Sequence, residues 1–256
     1  MGALETRLRT RRDGGRALLM PYLTGGITAD WVDYLRAFAD AGADAIEVGL
    51  PFSDPTLDGA TIQEASHLAL ARGARAHDIL AGLAGVDLDV PLVASTYDNL
   101  VVHDGPQPFC DALRQAGVDG LIVADLPLEE AGEVEEAASA AGVDLALLAS
   151  PATPQARLVE IARRSRGFVY AVSLMGTTGE REALGASATR LAAQLKRTTA
   201  RPILLGFGIS TPEQAAQATR DADGVVVGAA VMRRVLDGAG PKDVGGYLAR
   251  IRRALD

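Results

Sequence analysis

The stretch AGADAIEVG at residues 41–49 has two close counterparts, AGVDGLIVA (116–124) and AGVDLALLA (141–149). In each copy a glycine follows a segment with helical spacing of apolar residues, and an aspartate stands at or just before the start of an apolar run. Glycine commonly ends a helix, and a short apolar run without helix breakers is typical of a buried strand. The recurrence therefore predicts one helix–strand unit that the chain repeats.

Runs of this kind occur eight times, as ALLMPYL (17–23), DAIEVGL (44–50), PLVAST (91–96), DGLIVAD (119–125), VDLALLA (143–149), GFVYAVS (167–173), PILLGFG (202–208) and DGVVVGA (223–229). Amphipathic segments with capping residues in front of them lie between the runs, at 28–42, 127–142, 153–165 and 187–198. Eight strands that alternate with helices over about 250 residues predict an α/β fold of the (β/α)8 or TIM barrel class. We expect a single domain over residues 1–256 with a short N-terminal helix, since a doubly wound sheet gives no reason for this number of strands.

Composition narrows the possible functions. With 48% hydrophobic but only 4% aromatic residues, the core is expected to consist of Ala, Val, Leu and Ile, as in parallel sheets. The net charge of −8 predicts no general attraction for nucleic acid or an anionic membrane. The single cysteine, Cys110, excludes an internal disulfide, and no apolar run has the length of a signal core or a membrane span. We therefore expect a cytoplasmic protein, and we expect no metal site because the three histidines lack ligand spacing.

Glu47 is the first candidate for a catalytic residue. It lies within the predicted strand 44–50, where an ionised carboxylate is costly to bury. In barrels the active site lies where the strands end, and Gly49 and Pro51 mark that end here. A structural carboxylate paired with a core arginine or with backbone amides is the alternative.

Glycine segments near the C-terminus predict a phosphate site. GFGIS (206–210) and VVVGAAV (225–231) end the seventh and eighth predicted strands, after which barrels commonly bind phosphate through backbone N–H groups. A further segment, SLMGTTGERE (173–182), follows the sixth strand and is typical of a loop that closes over a ligand. Each segment alone is equally explained by tight turns, but the pairing after consecutive strands favours a phosphorylated substrate.

Six segments together resemble the α subunit of tryptophan synthase: PYLTGG (21–26), EVGLPFSDPTLDGATIQ (47–63), TYDNL (96–100), ADLPLEE (124–130), GFVYAVSLMGTTG (167–179) and GFGISTPEQA (206–215). The most specific is PFSDPTLDG with an acidic residue four positions upstream. The resemblance implies cleavage of indole-3-glycerol phosphate to indole and glyceraldehyde 3-phosphate. It also implies a β subunit as partner in an α2β2 tetramer, and no cofactor in the α chain.

This reaction requires two groups that handle protons or charge, because indole C3 leaves only after it is protonated. By resemblance Glu47 is the acid and base near C3, and Asp58 is an anion that accepts a hydrogen bond from the indole N–H. We expect a raised pKa for Glu47 on its buried strand and a hydrated, ionised Asp58 in its turn-rich loop. A helix cap for the segment that begins near Ala60 is the alternative role of Asp58.

The resemblance implies further site residues. Those around the substrate are Tyr22, Tyr97, Tyr170, Thr178, Gly179, Phe207, Gly208, Gly228 and Ala229. Those at the interface with the β subunit are Pro51, Phe52, Asp54, Asn99 and Pro127.

Three positions depart from the family pattern. Ala229 stands where a serine hydroxyl is expected at the phosphate, Thr177 replaces a valine, and Ser95 replaces an aliphatic residue beside the indole. Because of this divergence, two alternatives accompany the main hypothesis. One is a stand-alone indole-glycerol-phosphate lyase, and the other is a catalytically idle paralogue that binds a β subunit. Another phosphate-sugar isomerase or aldolase is also possible on this fold.

Overall fold

The computed structural model describes residues 2–172, 181–206 and 208–256, with the backbone alone for 181–186. The helices in these ranges are α1 (Ala3–Asp13), α2 (Trp31–Asp40), α3 (Ala60–Ala71), α4 (Ala76–Leu83), α5 (Asp98–Val102), α6 (Pro106–Gln115), α7 (Gly132–Ala141), α8 (Gln155–Arg164), α9 (Arg181–Thr198), α10 (Pro212–Ala218), α11 (Ala229–Leu236) and α12 (Pro241–Leu255). The strands are β1 (Leu18–Thr24), β2 (Ile46–Gly49), β3 (Leu92–Thr96), β4 (Val118–Val123), β5 (Asp144–Leu145), β6 (Leu148–Ala149), β7 (Val169–Val172), β8 (Ile203–Gly206) and β9 (Gly224–Val227). None of the helices described is both long and apolar enough to cross a membrane.

Strand pairing closes the sheet into a barrel. All pairs are parallel, in the order β5-β4-β3-β2-β1-β9-β8-β7-β6. The two end strands, β5 and β6, are halves of the one strand predicted at 143–149. Between them, Ala146 N donates to Leu121 O of β4 (2.9 Å), and Tyr170 N of β7 donates to Leu147 O (3.1 Å). One short segment therefore joins both ends, which confirms the predicted (β/α)8 barrel; it forms two strands because each half pairs with a different neighbour.

Alternate strand residues fill the interior of the barrel with apolar side chains. This inner cluster consists of Leu18, Met20, Ala45, Val93, Ile122, Ala146, Phe168, Leu204 and Val226, together with Leu4 and Leu8 of α1. The N-terminal helix thus closes the end of the barrel at which the strands begin. A larger cluster packs the outer faces of the strands against the helices. Inward positions beyond the inner cluster, nearer the strand ends, face the open mouth.

Aspartates at the starts of three strands hold neighbouring elements in register. Each carboxylate accepts a hydrogen bond from a backbone N–H of another element, from Leu19 N to Asp44 (3.0 Å), from Glu5 N to Asp144 (3.0 Å) and from Ile203 N to Asp223 (2.9 Å). Two of them belong to the repeated phrase from which the helix–strand unit was predicted. At the closed end of the barrel, each of these aspartates therefore fixes the start of a strand relative to a neighbouring element.

Asp44 makes the most extensive set of these contacts. Its side chain is only 1% exposed and pairs with Arg16 (2.8 Å) and Arg252 (3.1 Å). Arg252 lies on α12 and is itself 7% exposed, so this ion pair ties the last helix to the start of β2 inside the protein. Removing Asp44 would leave the buried Arg252 with only the more exposed Asp256 (2.9 Å) as an ion-pair partner among the described residues.

We expect Asp44→Ala to lower the free energy of unfolding by about 3–5 kcal/mol, because Arg252 and the Leu19 N–H lose their acceptor. Urea unfolding followed by circular dichroism measures this loss. The control is Asp89→Ala, which breaks the pair with Arg7 at a side chain that is 97% exposed and should leave the midpoint nearly unchanged. Equal midpoints for the two variants would contradict the role given to Asp44.

Candidate active site

Glu47 lies in the interior of the barrel, two residues beyond the inward-facing Ala45 on β2. The residue is 4% exposed. Burial raises the pKa of the Glu47 carboxyl to about 7. A hydrogen bond from the Ser95 side chain lowers this pKa, the negative charge of Asp58 raises it, and the Tyr170 hydroxyl, 3.5 Å from Oε2, lowers it. The raised pKa agrees with the expectation from the sequence, and it means that both protonation states are populated near neutral pH.

Asp58 lies in the loop between β2 and α3. Its Oδ2 accepts a hydrogen bond from the Tyr97 hydroxyl (3.1 Å), and that hydroxyl accepts one from Leu57 N (3.1 Å). Helix α3 has Gly59 as its N-cap with no side-chain cap bond, so the Asp58 carboxylate is held by Tyr97 rather than used as a cap.

Asp58 is better hydrated than Glu47, as expected from its loop, because it is half-buried whereas Glu47 is buried. Burial raises the pKa of the Asp58 carboxyl to about 6, although the hydrogen bond from Tyr97 lowers it. Tyr97 follows β3 directly, and its ring stacks on Phe52 of the same loop as Asp58, with centroids 5.1 Å apart. At neutral pH the carboxyl is still mostly ionised.

The two carboxylates lie within electrostatic reach of each other and of Tyr22 and Tyr170. The pKa of Tyr22 is raised by burial and further by the charges of Asp58 and Glu47. The pKa of Tyr170 is raised by burial and by the charges of Glu47 and Asp58. Since both acids act on each tyrosine, the two acids and the two tyrosines lie close together at this end of the barrel.

Two glycines at strand ends give the tyrosines their positions. A Cβ at Gly49 would overlap the Tyr22 hydroxyl, and a Cβ at Gly206 would come within 2.7 Å of the Tyr170 ring. The Tyr22 hydroxyl also bonds to Thr24 Oγ1 (3.1 Å). Any larger residue at either glycine would push a tyrosine out of the mouth.

The predicted phosphate end lies across the mouth, after β8 and β9. Gly208 has a positive φ of 68°, and Gly228 is the N-cap of α11, whose first residue is Ala229. The first N–H groups of a helix have no partner within it and can bind an anion. Of the residues predicted for this region, Thr177, Thr178, Gly179 and Phe207 lie outside the described residues.

The predicted interface residues lie on loops at the mouth. Phe52 and Asp54 belong to the loop after β2, Asn99 to α5 and Pro127 to the segment after β4. Asp54, Asn99 and Pro127 are exposed and Phe52 is half-buried, whereas Pro51 is buried. Two apolar side chains that the sequence analysis did not select, Leu57 (53% exposed) and Val102 (48%), also lie in the loop after β2 and on α5.

One contact of the site was missed in the sequence. Ser95 was noted only as a polar residue beside the indole, yet its side chain hydrogen-bonds to Glu47. The period of two along a strand could have revealed it, because Val93 and Ser95 share a face and β3 pairs with β2. Among the side chains that the structure describes, no group of three or more His, Cys, Asp or Glu could hold a metal ion.

Comparisons with known proteins agree with this arrangement. The family model for the tryptophan synthase alpha chain matches residues 8–245. The tryptophan synthase alpha chain of Cyanothece sp. is 42% identical over 246 residues, which cover 93% of this chain and 91% of that protein. The alpha chain of Chloroflexus aurantiacus is 41% identical, with 98% and 96% covered. The crystal structure of tryptophan synthase subunit alpha from Legionella pneumophila superposes with a TM-score of 0.90 at 32% identity, covering 100% of this chain and 99% of that one. The chain therefore belongs to the tryptophan synthase alpha chain family.

Proposed function

We propose that Glu47 and Asp58 carry out the reaction of this family, the cleavage of indole-3-glycerol phosphate to indole and glyceraldehyde 3-phosphate. The observation that supports these roles is that the two carboxylates lie near each other, where the charge of Asp58 raises the pKa of Glu47 and burial raises both pKa values. Ionisable groups with perturbed pKa values in a shared cleft are typical of catalytic sites. The chain is thus a carbon–carbon lyase of tryptophan biosynthesis.

Glu47 supplies and removes protons. In its neutral form it gives a proton to indole C3, which turns the ring into an indolenine. The resulting carboxylate takes the proton of the neighbouring hydroxyl, a carbonyl forms there, and the bond to C3 breaks with its electron pair returning to the ring. A pKa of about 7 suits this double role, since neither form is costly near neutral pH.

Asp58 stabilises the charge that develops on the ring. As an anion it accepts a hydrogen bond from the indole N–H, which becomes more acidic once C3 is protonated. The hydrogen bond from Tyr97 holds the carboxylate in place and favours its ionised form. Tyr22 and Tyr170 line the space between the acids and give the flat ring its walls.

Backbone N–H groups hold the phosphate in this proposal. The start of α11 at Ala229, with Gly228 before it and Gly208 opposite, offers donors together with the positive end of a helix. Thr178, Gly179 and Phe207 are proposed to complete this site. Ala229 carries no hydroxyl, so its contribution is limited to its backbone.

The α chain works with a β subunit in a tetramer. We propose that Phe52, Asp54, Asn99 and Pro127, with Pro51 beneath them, form the contact surface at the mouth. We do not propose an idle paralogue, because the chain retains both acids. We also propose that the chain forms a single domain and that it is located in the cytoplasm. There Cys110 remains a free, buried thiol, and burial raises its pKa to about 11.

Glu47→Gln tests the proposal directly. We expect kcat for indole formation to fall by about 100-fold to 10,000-fold with little change in KM, because the acid is lost while the cavity keeps its shape. The control is Glu133→Gln, the same change at an exposed position on α7. Unchanged kcat in Glu47→Gln would refute the mechanism.

The pH dependence follows from the two raised pKa values. We expect kcat/KM to rise as Asp58 loses its proton near pH 6 and to fall as Glu47 loses its proton near pH 7. Because the carboxyls interact, the two limbs belong to the pair, and the optimum between them is narrow. Initial rates in buffers of constant ionic strength measure the profile, and a flat one from about pH 5 to about pH 9 would contradict the assignment.

Restoring a hydroxyl at Ala229 tests the phosphate end. A new hydrogen bond to a charged group is worth about 1.5–3 kcal/mol, so Ala229→Ser should lower the Kd of indole-propanol phosphate about tenfold or more. Ala230→Ser adds the same group one residue later on α11 and should change the Kd little. Calorimetric titration measures both, and equal affinities for all three proteins would place the phosphate elsewhere.

A further inference from the structure

Ser95 lies beside Glu47 at the inner wall of the barrel. The register of β2 and β3 pairs Glu47 with Val93 and Gly49 with Ser95. Val93 belongs to the inner apolar cluster, so Ser95, two residues later, is the next inward position toward the mouth. From there its side chain hydrogen-bonds to the Glu47 carboxyl one step below.

Little else in the described structure favours the ionised form of Glu47. The residue that pairs with Ser95 on β2 is Gly49, which has no side chain to offer a donor. The Tyr22 ring occupies the space where a side chain of Gly49 would lie. The Tyr170 hydroxyl lies 3.5 Å from Oε2, at the outer limit of a hydrogen bond. Among the described side chains, the hydroxyls of Ser95 and Tyr170 are therefore the donors that compensate for the burial of this carboxylate, and Ser95 is the one on the neighbouring strand β3.

The other ionisable groups that face Glu47 do not replace Ser95. Asp58, from the loop before α3, disfavours the negative charge on Glu47 by repulsion. Tyr22 and Tyr170 are neutral phenols, because burial raises their pKa values. Among the side chains described, no lysine or arginine forms an ion pair with Glu47. Without the serine, burial and Asp58 would both favour the neutral acid.

We propose that Ser95 is a positioning residue for Glu47, whose hydroxyl holds the carboxyl toward the cavity in both of its protonation states. This rests on the function proposed for Glu47. A serine hydroxyl can donate to the carboxylate and, after rotation, accept from the neutral acid, so the contact persists while the proton moves to the substrate and another returns. Ser95 thereby keeps the base form accessible in a site that would otherwise retain only the acid form.

The test compares hydroxyl deletions at two successive residues. Ser95→Ala removes the donor to Glu47, whereas Ser95→Thr keeps a hydroxyl there. Thr96→Val is the matched control, because Thr96 is 3% exposed, comes next on the same strand, and its Oγ1 has no hydrogen-bond partner among the described residues. Circular dichroism checks that each variant is folded.

Two readouts report on Glu47. The first is the pH dependence of kcat and kcat/KM. The second, independent of turnover, is the titration of the Glu47 carboxyl by NMR in protein labelled with ¹³C-glutamate, with the signal assigned by its loss in Glu47→Gln. In Ser95→Ala we expect the carboxyl midpoint and the alkaline limb to move up by about half to one pH unit, since a donor to the anion is lost. Ser95→Thr and Thr96→Val should keep the midpoint of the unaltered protein.

The outcomes separate this proposal from the function on which it rests. An unchanged carboxyl midpoint in Ser95→Ala would overturn the positioning role. A higher KM with an unchanged midpoint would also overturn it and make Ser95 a substrate contact. If Glu47→Gln kept full activity, the proposed function would fail, while a shifted midpoint in Ser95→Ala would still establish the contact between Ser95 and Glu47.

Discussion

The burial of one carboxyl group inside a closed barrel is the constraint on which the site depends. Alternation along β2 sends Ala45, Glu47 and Gly49 inward in turn. Ala45 is packed by the inner cluster, and Gly49 leaves room for Tyr22, so Glu47 is the only polar member of this row. Because the barrel is closed and its other end is filled by α1, the group can reach solvent or a ligand only through the mouth.

The two acids differ less than their sequence contexts suggest. Burial raises both pKa values, to about 7 for Glu47 and about 6 for Asp58, and the charge of Asp58 raises the pKa of Glu47 further. The order of the two values agrees with the roles proposed for the two acids. Between them, Asp58 is ionised while Glu47 keeps its proton, and the anion of Asp58 itself helps Glu47 to keep it. One shared environment thus determines which acid is the proposed proton donor and which is the proposed charge stabiliser.

The sequence predicted the elements well because their signals are local. Apolar runs, glycine at helix ends and the repeated aspartate all act within about ten residues, and they located every strand of the barrel. The helix predicted over 127–142 begins only at Gly132, since the segment after β4 first forms a turn. The contacts at the site that the sequence did not predict join residues that are distant in the chain. Tyr97 reaches Asp58 from 39 residues away, and Ser95 reaches Glu47 from the neighbouring strand, so neither contact has a signature in a single segment.

Acidic residues serve both ends of this barrel, and their partners decide what they do. At the closed end, Asp44 and Asp223 accept backbone N–H groups and pair with Arg or Lys, so their charges are fully compensated and stabilise the fold. At the mouth, the partners of Glu47 and Asp58 among the described side chains are hydroxyl donors, from Ser95, Tyr170 and Tyr97. A hydroxyl compensates a buried charge less than a cation does, and this is why the pKa values rise there. The same residue types therefore act as structural anchors where cations pair with them, and are proposed to handle protons where their described partners are hydroxyls.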